Sequence, residues 1–371
     1  MDTNLSGESK EVTKNCKSTR NYSIEFLRFF FAIGVVFGHC YCIFYMNDSP
    51  SYSFFFHNAC VDFFFVISGY FMACHFEARK AEDKYRTYVD YNLLRIVRLW
   101  PLLFVSALEG IIFELAFNLL SRGKFYFSTN IWGGFFFLGG LNNFDAVNVI
   151  WYISALFWCE LLLSSFLCFN RKIAICCCFP LLAFCSLSIM NMWNCSNLYS
   201  IPLVFNWLST GLIRGICGLI FGIESFYIAL FAKDKLYIFS KKAITLFSVL
   251  IEIGFILLVC YLIFKQHMNN KEFLMFFFTA ALLIVFNLNT QKIFSIFNKK
   301  FFEFFGRISV WIYVLHFYIL KTMFYIPKFR LLPPPVVYSS VIATSIFISI
   351  FAYYIISKIT AGIKRFCLAN Y

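Results

Sequence analysis

Charge is scarce in this chain: Asp, Glu, Lys and Arg make up 14% of its 371 residues, whereas 61% are hydrophobic and 22% aromatic. A soluble protein of that length cannot hide so much apolar surface, which excludes a water-exposed globular fold. Also missing are a CxxC pair, a Cys/His array at zinc spacing, any stretch resembling a nucleic-acid module, an internal repeat and a soluble domain. The 15 cysteines, among them the run Cys176 to Cys178, fall mostly in apolar segments and read as small buried thiols. No metal is called for. The first apolar run follows a polar tail and lacks a small-residue cleavage site, so no secretory signal peptide is expected.

What the sequence does contain is a succession of apolar runs near 20 residues long, the length of a bilayer-spanning helix. Ten spans are predicted, at 24–45, 58–76, 97–120, 148–169, 173–190, 203–231, 243–264, 272–289, 301–320 and 336–357. The run IWGGFFFLGG at 131–140 is too short to cross and reads as re-entrant or interfacial. The expected architecture is all-α: a polytopic membrane protein of about ten transmembrane helices, with a tail at 1–23, a transmembrane domain at 24–357 and a second tail at 358–371. Most of the 32 Lys and Arg residues lie in one alternating set of connections that includes both ends, which predicts that both termini are cytoplasmic. The net charge of +13 then reads as topology and attraction to anionic lipid. The bilayer is the expected partner, and nucleic acid is not.

Within the first span, EFLRFFFAIGVVFGHC, three polar side chains interrupt the apolar run. Arg28 and His39 are eleven positions apart, on nearly the same helical face and about 16 Å apart along the axis. Glu25, three residues before Arg28, can hold the guanidinium in place. Arg28 either lines a cavity or snorkels to the inner phosphates. His39 lies too deep to snorkel, and an imidazole there must face protein or water. In VDFFFVISGY of the second span, Asp62 sits at roughly the depth of His39, where it either orients the ring or caps a helix end. Ser68 and Gly69 read as close helix packing rather than a nucleophile.

Arg95 and Arg98, in LLRIVRLWP, lie one turn apart at the cytoplasmic entry to the third span, suited to a phosphorylated ligand or to positive-inside anchoring. In the ninth span, GRISVWIYVLH, Ser309, Tyr313 and His316 follow steps of four and three and share a face. His316 is as far into its span as His39 is into the first, so the two histidines are predicted to lie at similar depth and to face one cavity. Glu160 and Arg214, mid-span in the fourth and sixth, either pair with each other or line that cavity; a purely structural buried pair also fits. A transporter or glycan exporter would place the same charges along a translocation path.

Glu25, Leu27, Arg28 and His39, then VDFFFVISGY, RIVRLWP, WYISALFWCE and GRISVWIYVLH, in that order along nearly the whole chain, resemble the signatures of the acyltransferase family 3 integral membrane proteins. The arginine and histidine separated by ten residues are the most specific part. Trp311 stands where another aromatic is common. The resemblance implies a multi-helix enzyme that moves an acyl group, usually acetyl from acetyl-CoA, to a hydroxyl of an extracytoplasmic glycan. It implies no tightly bound cofactor: acyl-CoA is the donor substrate and the glycan the acceptor. The expected location is a cell membrane, the bacterial cytoplasmic (inner) membrane. No soluble esterase-like domain is appended, so an acceptor-handling partner would be separate. Together with the residues, this predicts that Arg28, Arg95 and Arg98 hold the donor. His39 would be the general base or a transient acyl carrier, oriented by Asp62, with Tyr313 or His316 stabilising the oxyanion.

Overall fold

The computed structural model describes residues 21–45, 56–79, 82–123, 135–139, 149–192, 203–204, 208–264 and 270–369. Its first helix, α1 (Tyr22–Phe44), starts where the Asn21 side chain accepts from the Ser23 amide at 3.0 Å, satisfying one of the amides that a helix start leaves open. Then come α2 (Phe56–Ala78) and α3 (Lys84–Arg122). The latter is capped by Asp83 on the Arg86 amide at 2.7 Å and is closed by Gly123 at φ 62°, the left-handed conformation that glycine adopts without penalty. It contains Pro101, tolerated inside a helix at the loss of one ladder hydrogen bond.

The remaining long helices among the described residues are α4 (Ile150–Phe169), α5 (Arg171–Met192), α6 (Thr210–Lys233), α7 (Lys241–Phe264), α8 (Leu274–Asn287), α9 (Phe302–Phe324) and α10 (Pro334–Ala369). The run of three cysteines lies in a π-helical turn, Ala174–Cys178, inside α5. A two-residue antiparallel ladder, Leu203–Val204 with Leu208–Ser209, precedes α6.

All ten predicted spans have a helix. Among the described residues nine are long and apolar enough to cross a membrane, while α8 is shorter. At 1.5 Å per residue it covers about 21 Å, less than the hydrocarbon thickness. The 3₁₀ turn Asn270–Phe273 leads into it, and the chain leaves through Asn289 at φ 55°. There the Glu252 carboxylate of α7 accepts from the amides of Lys292, Ile293 and Phe294 at 2.9–3.2 Å, so a non-helical stretch keeps its backbone satisfied. The expected tail at 358–371 continues α10 as helix to Ala369. Residues 1–20 of the other tail lie outside the described residues.

Of the segment at 131–140, only 135–139 are described. They pack on α4: Phe137 stacks on Phe157 at 4.1 Å, and its carbonyl accepts from the Trp158 indole at 2.9 Å.

The bundle is organised by two extensive pairings, α1 with α9 and α2 with α6. Small residues permit the second. Gly69 of α2 lies where a Cβ would strike the Leu219 carbonyl, and Gly222 of α6 where one would strike that of Val66, so the two backbones touch. The most enclosed helices, α2, α4 and α9, form the interior, and α5, α7 and α10 the periphery. Outward-facing Leu181, Phe184, Phe247, Leu250, Phe347 and Phe351 are apolar and exposed, as lipid-facing positions are. The expectation of buried thiols is corrected for Cys176, Cys177, Cys185 and Cys260, which are exposed because they sit on peripheral helices. Among the described residues no cysteine is paired.

Candidate active site

A cavity of about 680 Å³ enters the bundle between helix ends. Its mouth is framed by Asn21 at the start of α1, Glu77 at the end of α2, Lys233 at the end of α6 and Asn289 beyond α8. Further in, three arginines line it. Arg28 is held by Glu25 at 2.9 Å, the pair that their three-residue spacing predicts. Arg95 makes an ion pair with the buried Glu160 of α4 and lies over the Tyr91 ring. Arg98 forms no ion pair among the described residues; it lines the cavity, where Arg95 and Arg28 stand close enough to repel it and Glu25 close enough to attract it. A cation left unpaired in such a place is a ready site for an anionic ligand. The inner end of the cavity is formed by Phe64, Ser68, Tyr152, Ser309 and Tyr313.

Beyond Tyr313 lies a cluster of histidines. His316 Nε2 is 3.3 Å from His39 Nδ1, and the His57 ring of α2 packs 4.8 Å from that of His39. Carbonyl oxygens only accept, and this fixes the protons. His316 Nδ1 faces the carbonyls of Tyr313 at 2.7 Å and Ile312 at 3.2 Å, so it carries the hydrogen and leaves Nε2 as a lone pair. His39 Nδ1 faces the Val35 carbonyl at 3.0 Å and that lone pair together, so it too is the donor. The free lone pair of His39 is therefore on Nε2, which has no hydrogen-bond partner among the described residues. A proton taken there leaves an imidazolium whose Nδ1–H is already shared between two acceptors. His316 is fully buried, whereas His39 is partly exposed and does not line the cavity.

Two expected roles are corrected. Asp62 does not orient His39: it accepts two hydrogen bonds from Arg214, at 2.6 and 3.0 Å, both side chains having no exposed surface. Glu160 and Arg214 do not pair with each other either, since Arg214 of α6 faces α2 and Glu160 faces α3. Both acids go to the basic group that shares their helix interface, which leaves neither charge buried alone. The two histidines come together, but the expectation that they face one cavity is corrected: neither lines the large cavity, which stops short of them at Tyr313. Gly69 serves the α2–α6 crossing, while its neighbour Ser68 faces the cavity beside Tyr152. Ser309 is spent on the Gly306 carbonyl at 2.8 Å, and the Tyr313 hydroxyl donates to that of Val149 at 3.1 Å.

His57 and Tyr152 were not found from the sequence. His57 lies just ahead of the predicted second span, five residues before Asp62, and a helix started one turn earlier would have placed it at the depth of His39. Tyr152 was readable only as one more apolar position of the fourth span. Among the described residues, no group of His, Cys, Asp and Glu is arranged to hold a metal ion.

The family model Acyl_transf_3, an acyltransferase domain, matches residues 21–354, nearly the whole chain and every helix named above except the end of α10. No curated protein and no solved structure matches it.

Proposed function

Because the chain belongs to the Acyl_transf_3 family and is thus a multi-pass membrane acyltransferase, we propose that it carries an acyl group, acetyl above all, from acyl-CoA in the cytoplasm to a hydroxyl of a glycan on the other side of the membrane. The observation that carries this reading is a cavity with Arg98 unpaired on its wall and Tyr313 at its inner end, 6.0 Å ring to ring from His316. The mouth is framed by the segments that the Lys/Arg bias assigns to the cytoplasm, which supports donor entry from that side and cytoplasmic termini. In a bacterium the membrane would be the cytoplasmic one.

In this reading the nucleotide phosphates stay near the mouth and Arg98, and the pantetheine arm runs past Arg28 and Arg95. The acceptor reaches His39 from the side on which that ring is exposed. His39 Nε2 takes the proton of the acceptor hydroxyl as its oxygen attacks the thioester carbonyl carbon. The C–S bond then breaks, the ester remains on the acceptor, and the CoA thiolate leaves and is protonated. His316 acts through His39: its Nε2 holds the reactive tautomer and helps to carry the imidazolium charge, in the position that sequence reasoning gave to Asp62. The Tyr313 hydroxyl can turn toward the oxyanion only by releasing Val149.

Comparing alkali-labile acyl groups on cell-surface glycans with and without the gene, alongside acetyl-CoA binding by the purified protein, tests the reading. Loss of a defined ester together with micromolar to millimolar donor binding is expected. An unchanged ester profile and no donor binding would sink it.

A further inference from the structure

The donor cavity and the histidines are separated by a wall of rings, and one ring is held less firmly than the rest. Phe64, Tyr152 and Tyr313 close the inner end, with centroid separations of 5.2 Å for Tyr152–Tyr313, 6.2 Å for Phe64–Tyr313 and 6.3 Å for Phe64–Tyr152. Rings at such separations are in contact, which leaves no gap for an acyl group. Neither His39 nor His316 lines the cavity on the near side. A donor carbonyl can meet His39 only after a ring moves.

The three rings are not equally free. Tyr313 is buried and pinned through its hydroxyl to Val149, so moving it breaks a buried hydrogen bond. Tyr152 is buried and wedged against Phe65 at 4.6 Å. Phe64 is partly exposed, carries no polar anchor, and borders the cavity. A rotamer change of a side chain with free surface is fast and cheap compared with repacking a buried one.

We propose that Phe64 is the gate between the donor cavity and the histidine pair, and that the space its ring can vacate sets the acyl group transferred, favouring acetyl over longer chains. This rests on the cavity being the donor site. At rest the closed wall keeps water arriving on the acceptor side away from the thioester, which limits loss of donor by hydrolysis. A short acyl group needs only a partial swing, and each added methylene demands more room than the pinned tyrosines leave.

The test uses membrane vesicles carrying the full chain and their own acceptor, supplied with radiolabelled acetyl-, butyryl- and hexanoyl-CoA, with alkali-labile label as the readout. Phe64→Ala should raise the hexanoyl-to-acetyl ratio at least about tenfold. Phe64→Leu, a milder change that guards against misfolding, should raise it less. Phe64→Trp should lower acetyl incorporation about tenfold or more. Ala and Leu variants that incorporate acetyl with the wild-type chain-length ratio would overturn the gate, and wild-type label that still depends on His39 would then leave the donor reading standing. Wild-type protein that neither binds acetyl-CoA nor incorporates label sinks the donor reading itself, and the gate with it.

Discussion

His316 accepts at 3.3 Å from His39 although 277 positions separate them in the chain. The relationship is made by the extensive packing of α1 on α9, and it converts two isolated intramembrane imidazoles into a unit with one free lone pair. Since each Nδ1 is committed to backbone carbonyls, neither ring can exchange tautomer without breaking a hydrogen bond, and the unit is preset for accepting a proton at His39 Nε2.

His39→Ala should therefore abolish transfer, by at least the 10²–10⁴-fold typical of a general base, with acetyl-CoA binding nearly intact. His316→Ala should lower turnover with little change in KM for the donor, whereas His316→Gln, which still offers an oxygen to the His39 Nδ1–H, should recover part of the loss. Turnover in the Gln variant no better than in Ala would reduce His316 to packing.

The arginines differ in a way that binding and stability measurements separate. Arg98→Ala should weaken acetyl-CoA binding by roughly 10–100-fold, as expected for charge-assisted hydrogen bonds worth about 1.5–3 kcal/mol, while the protein folds normally. Lys at 98 should restore only part of this, lacking the planar fork. Arg95→Ala should instead destabilise the protein by about 3–5 kcal/mol because it strands Glu160 in the interior, and Arg95→Leu with Glu160→Leu should recover the fold. Unfolding midpoints in detergent, set beside isothermal titration with acetyl-CoA, give both quantities. Equal effects of the two Ala substitutions on both readouts would contradict the division of labour.

Relations along one helix were legible from the sequence, and relations between helices only where depth settled them. The Glu25–Arg28 pair follows from a spacing of three, and the meeting of His39 and His316 from equal depth in parallel-running spans. Asp62 has the depth of His39 too, yet its carboxylate goes to Arg214. Which neighbour a side chain meets depends on the rotation of its helix, and that is set by features such as the Gly69–Gly222 crossing that no spacing within α2 reveals. Glu160 found Arg95 for the same reason. The shortness of α8 was hidden because Phe273, in the 3₁₀ turn, and Leu288, just past the helix end, extend the apolar run without extending the helix.

Asp62 and Arg214 give the next prediction. Breaking the pair by Asp62→Ala should cost about 3–5 kcal/mol, since it removes the carboxylate from a guanidinium with no exposed surface. Replacing both, Asp62→Leu with Arg214→Met, should return much of the stability, because apolar isosteres avoid the desolvation cost. Transfer should return with the fold. A double variant that is stable but inactive would show that the carboxylate does more than anchor α2 to α6.

Ser68 and Gly69 are neighbours with different tasks, and substitution should pull them apart. A side chain at 69 meets backbone rather than a flexible neighbour, so Gly69→Val must push α2 and α6 apart or prevent their crossing; overpacking of this kind costs about 1–3 kcal/mol and more where nothing can yield. Because α2 also carries Phe64 and Ser68 into the cavity, whatever protein survives should transfer poorly and melt early. Ser68 lines the cavity within hydrogen-bonding reach of the Tyr152 hydroxyl, and trimming it removes that contact without disturbing apolar packing. Ser68→Ala should melt like the wild type and keep transfer within about tenfold, the loss of one neutral hydrogen bond. A nucleophile behaves otherwise: its removal eliminates the covalent intermediate and with it nearly all turnover. Measuring ester formation and the melting midpoint on the same preparations separates the cases, and a stably folded Ser68→Ala protein without activity would move the chemistry from His39 to the serine.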